Sequence, residues 1–172
     1  MSDHSLTPVQ VAESLRVTPA LLRSIVATLP PELLERRPAP GEWSIKEILG
    51  HLIIAEELGL VGRIRALMAS DEPTLALWDQ VAIARERNDD ARDARELLDE
   101  FEVTRERNLS LVRSLQPADL ERGGHHPEIG YVRVSDFMHE WVYHDQAHLQ
   151  QILQIVQQNV WPYLGNTQRF YQ

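Results

Sequence analysis

From Ser135 to about Asn159, the residues Phe137, Met138, Trp141, His144, His148, Ile152 and Ile155 fall close to one helical stripe. That stripe constrains the fold more than any other feature, because a long helix with one apolar face must bury it against other elements. Three further stretches offer partners. Ser44 with Glu47 three residues on forms a capping box, in which each side chain satisfies the other's free backbone amide. The helix it opens carries Ile45, Ile48, Leu49, Leu52 and Ile53 on one face and is predicted to reach about Ser70, where Asp71-Glu72-Pro73 ends it. Another helix is predicted from Ala91 to Leu115, with Leu97, Leu98, Phe101, Thr104, Leu109, Val112 and Leu115 facing inward, and Gln116-Pro117 stops it. Near the N-terminus, Thr7-Pro8 and Thr18-Pro19 each place a hydroxyl cap before a first-turn proline. They predict two helices, one ending near Val17 and one carrying Leu21, Leu22, Ile25, Val26 and Leu29 up to Pro30-Pro31.

The remaining segments are shorter. Leu75 to Arg87 reads as irregular or briefly helical, Gly123 to Gly130 as a loop, and Tyr131 to Val134 as extended. Trp161-Pro162-Tyr163-Leu164-Gly165 is an aromatic tail expected to pack back on the bundle or against a partner. Leu29-Pro30-Pro31-Glu32-Leu33-Leu34-Glu35-Arg36 echoes Leu115-Gln116-Pro117-Ala118-Asp119-Leu120-Glu121-Arg122, each ahead of a histidine-bearing helix. No convincing strand alternation interrupts this pattern. The expectation is all-α: a single domain over residues 1–172 forming a four-helix bundle with short extra helices and loops.

Composition removes several function classes. The chain has no cysteine, which excludes disulfides, thiolate metal sites, iron–sulfur clusters and cysteine nucleophiles. Lys46 is the only lysine, the arginines mostly sit beside acids, and the net charge is −9, so nucleic acid is not an expected partner. The start, Met1-Ser2-Asp3-His4-Ser5, lacks a basic and then apolar run, and no stretch approaches the roughly 18 apolar residues of a membrane span. The expectation is a cytoplasmic protein with no membrane partner.

The chemistry lies in the histidines. His144 and His148 are four apart, one above the other on a helix face, and they share the stripe with Trp141 and Ile152. Burying two imidazoles without partners is costly, and a metal ion removes that cost. His51 lies on the apolar face of the helix opened by Ser44, away from the polar side carrying Lys46 and Glu57. Three imidazoles converging between helices would hold one divalent metal and leave positions open for water or substrate. The plain alternatives are surface or capped imidazoles for the pair and a satisfied core histidine for His51. The pair is not a His-Glu-x-x-His zincin site. Asp145 points about a quarter turn from His144, and either orients a ligand or faces solvent. Glu47 is explained by the capping box, Glu140 is a candidate base, and Trp43 and Trp141 read as core and pocket walls. His139 reads as peripheral, His125 and His126 as solvated loop residues, and His4 as disordered.

The ordered pattern of Pro40-Gly41-Glu42-Trp43-Ser44-Ile45, Glu47-Ile48-Leu49, His51-Leu52, His126-Pro127, Gly130, His144-Asp145, His148-Leu149 and Gln151-Ile152 resembles the DinB-like superfamily across nearly the whole chain. The resemblance implies a four-helix bundle whose metal is held by His51, His144 and His148, frequently in a homodimer, with Zn or Ni the usual metal and Fe or Mn also compatible. It departs at the start of the last helix, where many members have threonine and this chain has Val134 followed by Ser135. The activities it implies diverge between thiol S-transfer with a low-molecular-weight thiol cosubstrate and metal-dependent hydrolysis of a small-molecule substrate. The rival expectation is a metal-binding structural or stress-sensing protein without turnover. A plain bundle binding nothing is the third.

Overall fold

The computed structural model describes residues 5–171. Its four long helical elements are α1 (Pro8–Val26), α3 (Ile45–Ile54) continued through a π-helical segment (Ala55–Val61) into α4 (Gly62–Ala69), α6 (Ala94–Ser114) and α8 (Val134–Val160). α1 packs against α6 and α8, and α3 packs against the same two from the other side. Short helices α2 (Pro31–Glu35) and α7 (Pro117–Leu120) occupy the two echoing stretches, each leading toward a histidine-bearing helix. α5 (Gln80–Arg87) is the brief excursion of the middle region.

The caps behave as local chemistry dictates. Ser44 Oγ accepts from the Glu47 amide while Glu47 accepts from the Ser44 amide, and Thr7 and Gln10 repeat that exchange at the start of α1. α8 begins at Val134, where the Asp136 carboxylate accepts the Arg133 amide at 2.8 Å. Lys46 corrects the expected polar face: it is buried, donating to Glu35 at 2.7 Å and to the Asp90 carbonyl at 3.2 Å.

The predicted break at Thr18-Pro19 does not occur; α1 is one helix with Pro19 inside it. A proline in mid-helix lacks the amide that would bond four residues back, here to the Leu15 carbonyl. That carbonyl is taken instead by Arg105 Nη1 from α6, at 2.7 Å. A side chain ninety positions away completes the helix. Leu21, expected inward, is exposed, while Leu22 and Val26 are buried.

The loop prediction is corrected at Gly123. Residues Gly123–His126 (β1) pair antiparallel with Gly130–Arg133 (β2), with His125 opposite Tyr131 and His126 opposite Gly130. Gly130 has φ +83, which glycine adopts at no steric cost. Backbone bonds from Leu75 to His125 and from His125 to Pro73 join the hairpin to the segment after α4. Four-residue strands are too short to show alternation in sequence.

The core falls into two apolar clusters. One gathers Leu15, Ile64, Leu67, Phe137, Met138 and Trp141; the other gathers Leu22, Ile48, Leu49, Leu52, Phe101 and Ile152. The aromatic tail forms 3₁₀ turns in which Leu164 is half-buried while Trp161 and Tyr163 are exposed, so most of it does not pack back on the bundle. Among the described residues no helix is long and apolar enough to cross a membrane.

Candidate metal centre

His51 on α3 and His144 and His148 on α8 meet between the helices. Their candidate ligand nitrogens lie within 4.8 Å of one another, and they form a three-residue group of metal-ligand type. The Nε2 atoms of His51 and His144 face each other at 3.1 Å. Two nitrogens held about 2.0–2.1 Å from one tetrahedral ion lie roughly 3.3 Å apart, so this spacing fits a shared cation. Two lone pairs aimed at the same space repel unless a proton or cation sits between them.

The surroundings favour neutral rings. Burial, reinforced by the charges of His148 and His144, pushes His51 down to about 3. Burial, then His148 and Arg105, pushes His144 down to about 4 against the pull of Asp145. Burial lowers His148, opposed by the hydrogen bond to Gln151 and the charge of Asp145. Neutral imidazole is the form that binds a metal. Gln151, one turn beyond His148, accepts the Nδ1–H of His148 at 2.9 Å, which leaves Nε2 as that ring's lone pair. His144 Nδ1 is buried with no partner. Trp43 walls the site, its ring 4.6 Å from His51 and 6.2 Å from His148, and Trp78 stacks 6.5 Å from His51 on the other side. Gly59 lets Trp78 lie on the helix, since a Cβ there would meet the indole at 3.3 Å.

The rings open onto a cleft of about 310 Å³ that Arg63, Gln80 and Glu140 also line. Glu140 reaches solvent at the rim. Burial of part of its side chain raises its carboxyl above the ordinary range, against Arg63 and His126. A second hollow of about 410 Å³ shares Trp43, His51 and Gln80 and runs toward Arg37 and Arg85. A further hollow of about 310 Å³, beside Arg23 and Lys46, lies away from the histidines.

Asp145 fits neither sequence reading. It is buried and bidentate on Arg105, with Oδ2 at 2.6 Å from Nη1 and Oδ1 at 2.9 Å from Nη2. Arg105 Nε donates to both oxygens of Glu56, at 2.9 and 2.8 Å. Its guanidinium also lies 4.7 Å over the Phe101 ring and 5.4 Å from that of Trp141. Burial pushes Glu56 up to about 7, with Asp145 adding to the rise and Arg105 opposing it. One guanidinium faces two carboxylates in this dry layer, which favours a proton on Glu56 over a second full negative charge.

The other assignments divide. Glu47 caps α3 and pairs with Arg37, as the capping box required. Trp141 is core and Trp43 is wall. His139 accepts the Leu6 amide and donates to the Ser135 carbonyl, away from the cluster. His125 is exposed against Tyr131, as expected of it, but His126 is 5% exposed and bonded to Arg63, a correction to the solvated reading. His4 lies outside the described residues. The sequence carries no signal for Trp78, Arg63 or Arg105, and it shows Gln151 only as part of the family pattern, one turn past His148 and without a role.

Comparison with known proteins agrees with this picture. The chain is 26% identical over 143 residues to "Putative metal-dependent hydrolase OB0782" of Oceanobacillus iheyensis, covering 83% of this chain and 82% of that one. It is 26% identical to "Uncharacterized protein YuaE" of Bacillus subtilis, covering 72% and 83%. Among solved structures, YfiT of Bacillus subtilis, described as "a probable metal-dependent hydrolase with an unusual four-helix bundle topology", superposes with TM-score 0.79 at 19% identity, over 90% of both chains. A four-helix bundle protein, TT2238, superposes with TM-score 0.61 at 18% identity, over 86% and 98%. These likenesses establish the four-helix bundle. The DinB superfamily profile matches residues 14–152, and the chain belongs to that superfamily.

Proposed function

We propose that this protein is a metal-dependent enzyme in which His51, His144 and His148 hold one divalent cation at the floor of the cleft, with a small molecule as substrate. The observation that carries the reading is the convergence of three ring nitrogens within 4.8 Å, in surroundings that keep the rings uncharged. An all-nitrogen donor set without thiolate suits Zn or Ni, with Fe or Mn compatible. When bound, such an ion acts as a Lewis acid that lowers the pKa of a water or a thiol.

The chain's own residues supply the rest. Gln151 orients His148 through Nδ1, and Trp43 and Trp78 restrict the tilt of His51. The same indoles give the cleft apolar walls that exclude bulk water. Glu140, at the rim with a raised pKa, is placed to take a proton from an incoming nucleophile. Among the described residues no fourth histidine or carboxylate joins the three rings within ligand distance. That favours turnover over a purely structural or sensing metal site. The name of the Oceanobacillus relative supports hydrolysis, in which water is the nucleophile; thiol transfer would use a low-molecular-weight thiol instead.

The test has two stages. Metal analysis of purified protein should give about one equivalent, and the His144→Ala/His148→Ala variant should lose it; equal content in both defeats the ligand assignment. Ester and amide substrates, and monochlorobimane with a panel of thiols, are then assayed with and without chelator. Chelator-sensitive turnover requiring only water identifies a hydrolase. A thiol requirement identifies a transferase. Stoichiometric metal without turnover in any assay leaves the sensing reading.

A further inference from the structure

Arg63 is the one cleft-lining guanidinium beside the three histidines, and its hydrogen bonding is incomplete. Its Nε is buried and has no acceptor. Its Nη2 lies 3.0 Å from His126 Nε2, and it makes no salt bridge to any described residue. The Phe137 ring covers it at 5.4 Å. His126 cannot fully serve it. The Glu128 amide already points at His126 Nδ1, at 3.2 Å, and a neutral imidazole has one ring lone pair for the two donors. Donors therefore outnumber acceptors on this wall of the cleft, and a buried donor without an acceptor is costly.

The backbone makes the placement deliberate. Twelve residues of uninterrupted α-helix make three and a third turns, which would put Arg63 about 120° away from His51. The π-helical segment Ala55–Val61 intervenes, and a π turn holds about one residue more than an α turn. The extra residue closes most of that angle, so both side chains line the same cleft.

We infer that Arg63 is a substrate-binding residue, and that the substrate is a small molecule with a carboxylate gripped by this guanidinium while its reacting end meets the histidines. The inference rests on the metal-centre reading for its second half only. A guanidinium fork matches a carboxylate or a phosphate. Glu128 and Glu140 lie close enough to act on Arg63 electrostatically without bonding to it, and the chain carries net charge −9, so a singly charged carboxylate fits better than a phosphate dianion.

The test compares two probes on nickel-loaded protein by calorimetry: butyrohydroxamate, and succinohydroxamate, which has a similar metal-binding head and a terminal carboxylate. The carboxylate should tighten binding to the wild type by about 10-fold or more. Arg63→Met should bind both probes equally, and Arg63→Lys, keeping the charge without the fork, should recover part of the gain. Equal binding of the two probes by the wild type, as when Arg63 turns onto Glu140 instead, overturns the inference. So does a gain that survives in Arg63→Met. Loss of the gain in the presence of inorganic phosphate at the probe's own concentration would reassign the site to phosphate and overturn the carboxylate choice. Nickel content is measured first. If nickel is not taken up, zinc, iron and manganese are tried; a wild type that takes up none of them sinks the metal reading alone, and Arg63 is then judged on metal-free protein with 3-phenylpropionate against 3-phenylpropanamide, where equal binding overturns it.

Discussion

Two polar clusters sit inside this bundle, and they are built on opposite principles. Around Arg105, each charged group has its partner: the guanidinium holds Glu56, Asp145 and the Leu15 carbonyl, and all three side chains are 3% exposed or less. Around His51, His144 and His148 the rings face one another, His144 Nδ1 lacks a partner, and the cluster opens to a cleft. The first cluster consumes its bonding capacity within the protein. The second keeps some in reserve. Internal satisfaction holds α1, the π-helical segment, α6 and α8 together, whereas the histidine cluster keeps unmet bonding capacity beside a cleft. Asp145 and His144 are neighbours on α8 and belong to different clusters, because consecutive helix positions face about 100° apart.

The comparison breaks first at Arg105. Arg105→Met leaves two carboxylates in the core and is expected to cost about 3–5 kcal/mol in urea unfolding. A loss below about 1 kcal/mol would mean the cluster is wetter than its burial implies. Replacing Glu56, Arg105 and Asp145 together with apolar residues of similar volume should restore most of that loss. His51→Ala should act the other way, leaving metal-free stability nearly intact while metal affinity, measured by chelator competition, falls by more than about 100-fold. Gln151→Leu removes only the orienting acceptor of His148, so a loss of roughly 10-fold in the same assay is expected.

A further test is in pH. The three histidines titrate below their unfolded value of about 6.5, so in metal-free protein the unfolded chain takes up protons first on acidification. Their contribution to stability therefore rises with pH between about 4 and 6.5. Glu56, raised to about 7, holds its proton in the folded state and opposes that trend as pH rises from about 4.5 to 7. Glu56→Gln should therefore steepen the rise of unfolding free energy with pH, followed by urea titrations at pH 4.5, 5.5 and 6.5. An unchanged slope would show that Glu56 stays ionised beside Arg105.

What the sequence revealed follows from distance along the chain. The capping box of Ser44 and Glu47, the inward face of Leu97 to Leu115, and the shared face of His144 and His148 are legible because their partners lie within one or two turns. The inward face of His51 is legible because it sits among Ile48, Leu49 and Leu52, and the residue is buried. Pro19 looks like a helix start and Asp145 like a ligand-orienting or solvent-facing residue because the partner of each is Arg105, far away in sequence. Arg63 was missed because the phase of its helix changes in the π segment, which no periodicity in the sequence announces. The hairpin is not legible because each of its strands spans only four residues, too few to show alternation.

The proline within α1 has a further consequence for how the chain assembles. A peptide covering only the first thirty or so residues should show a hinge at Thr18, with one free carbonyl left to solvent. The rod becomes continuous only when an arginine from another part of the polypeptide docks against it, so the straightening of the first helix and the closing of the bundle should occur as one event during folding.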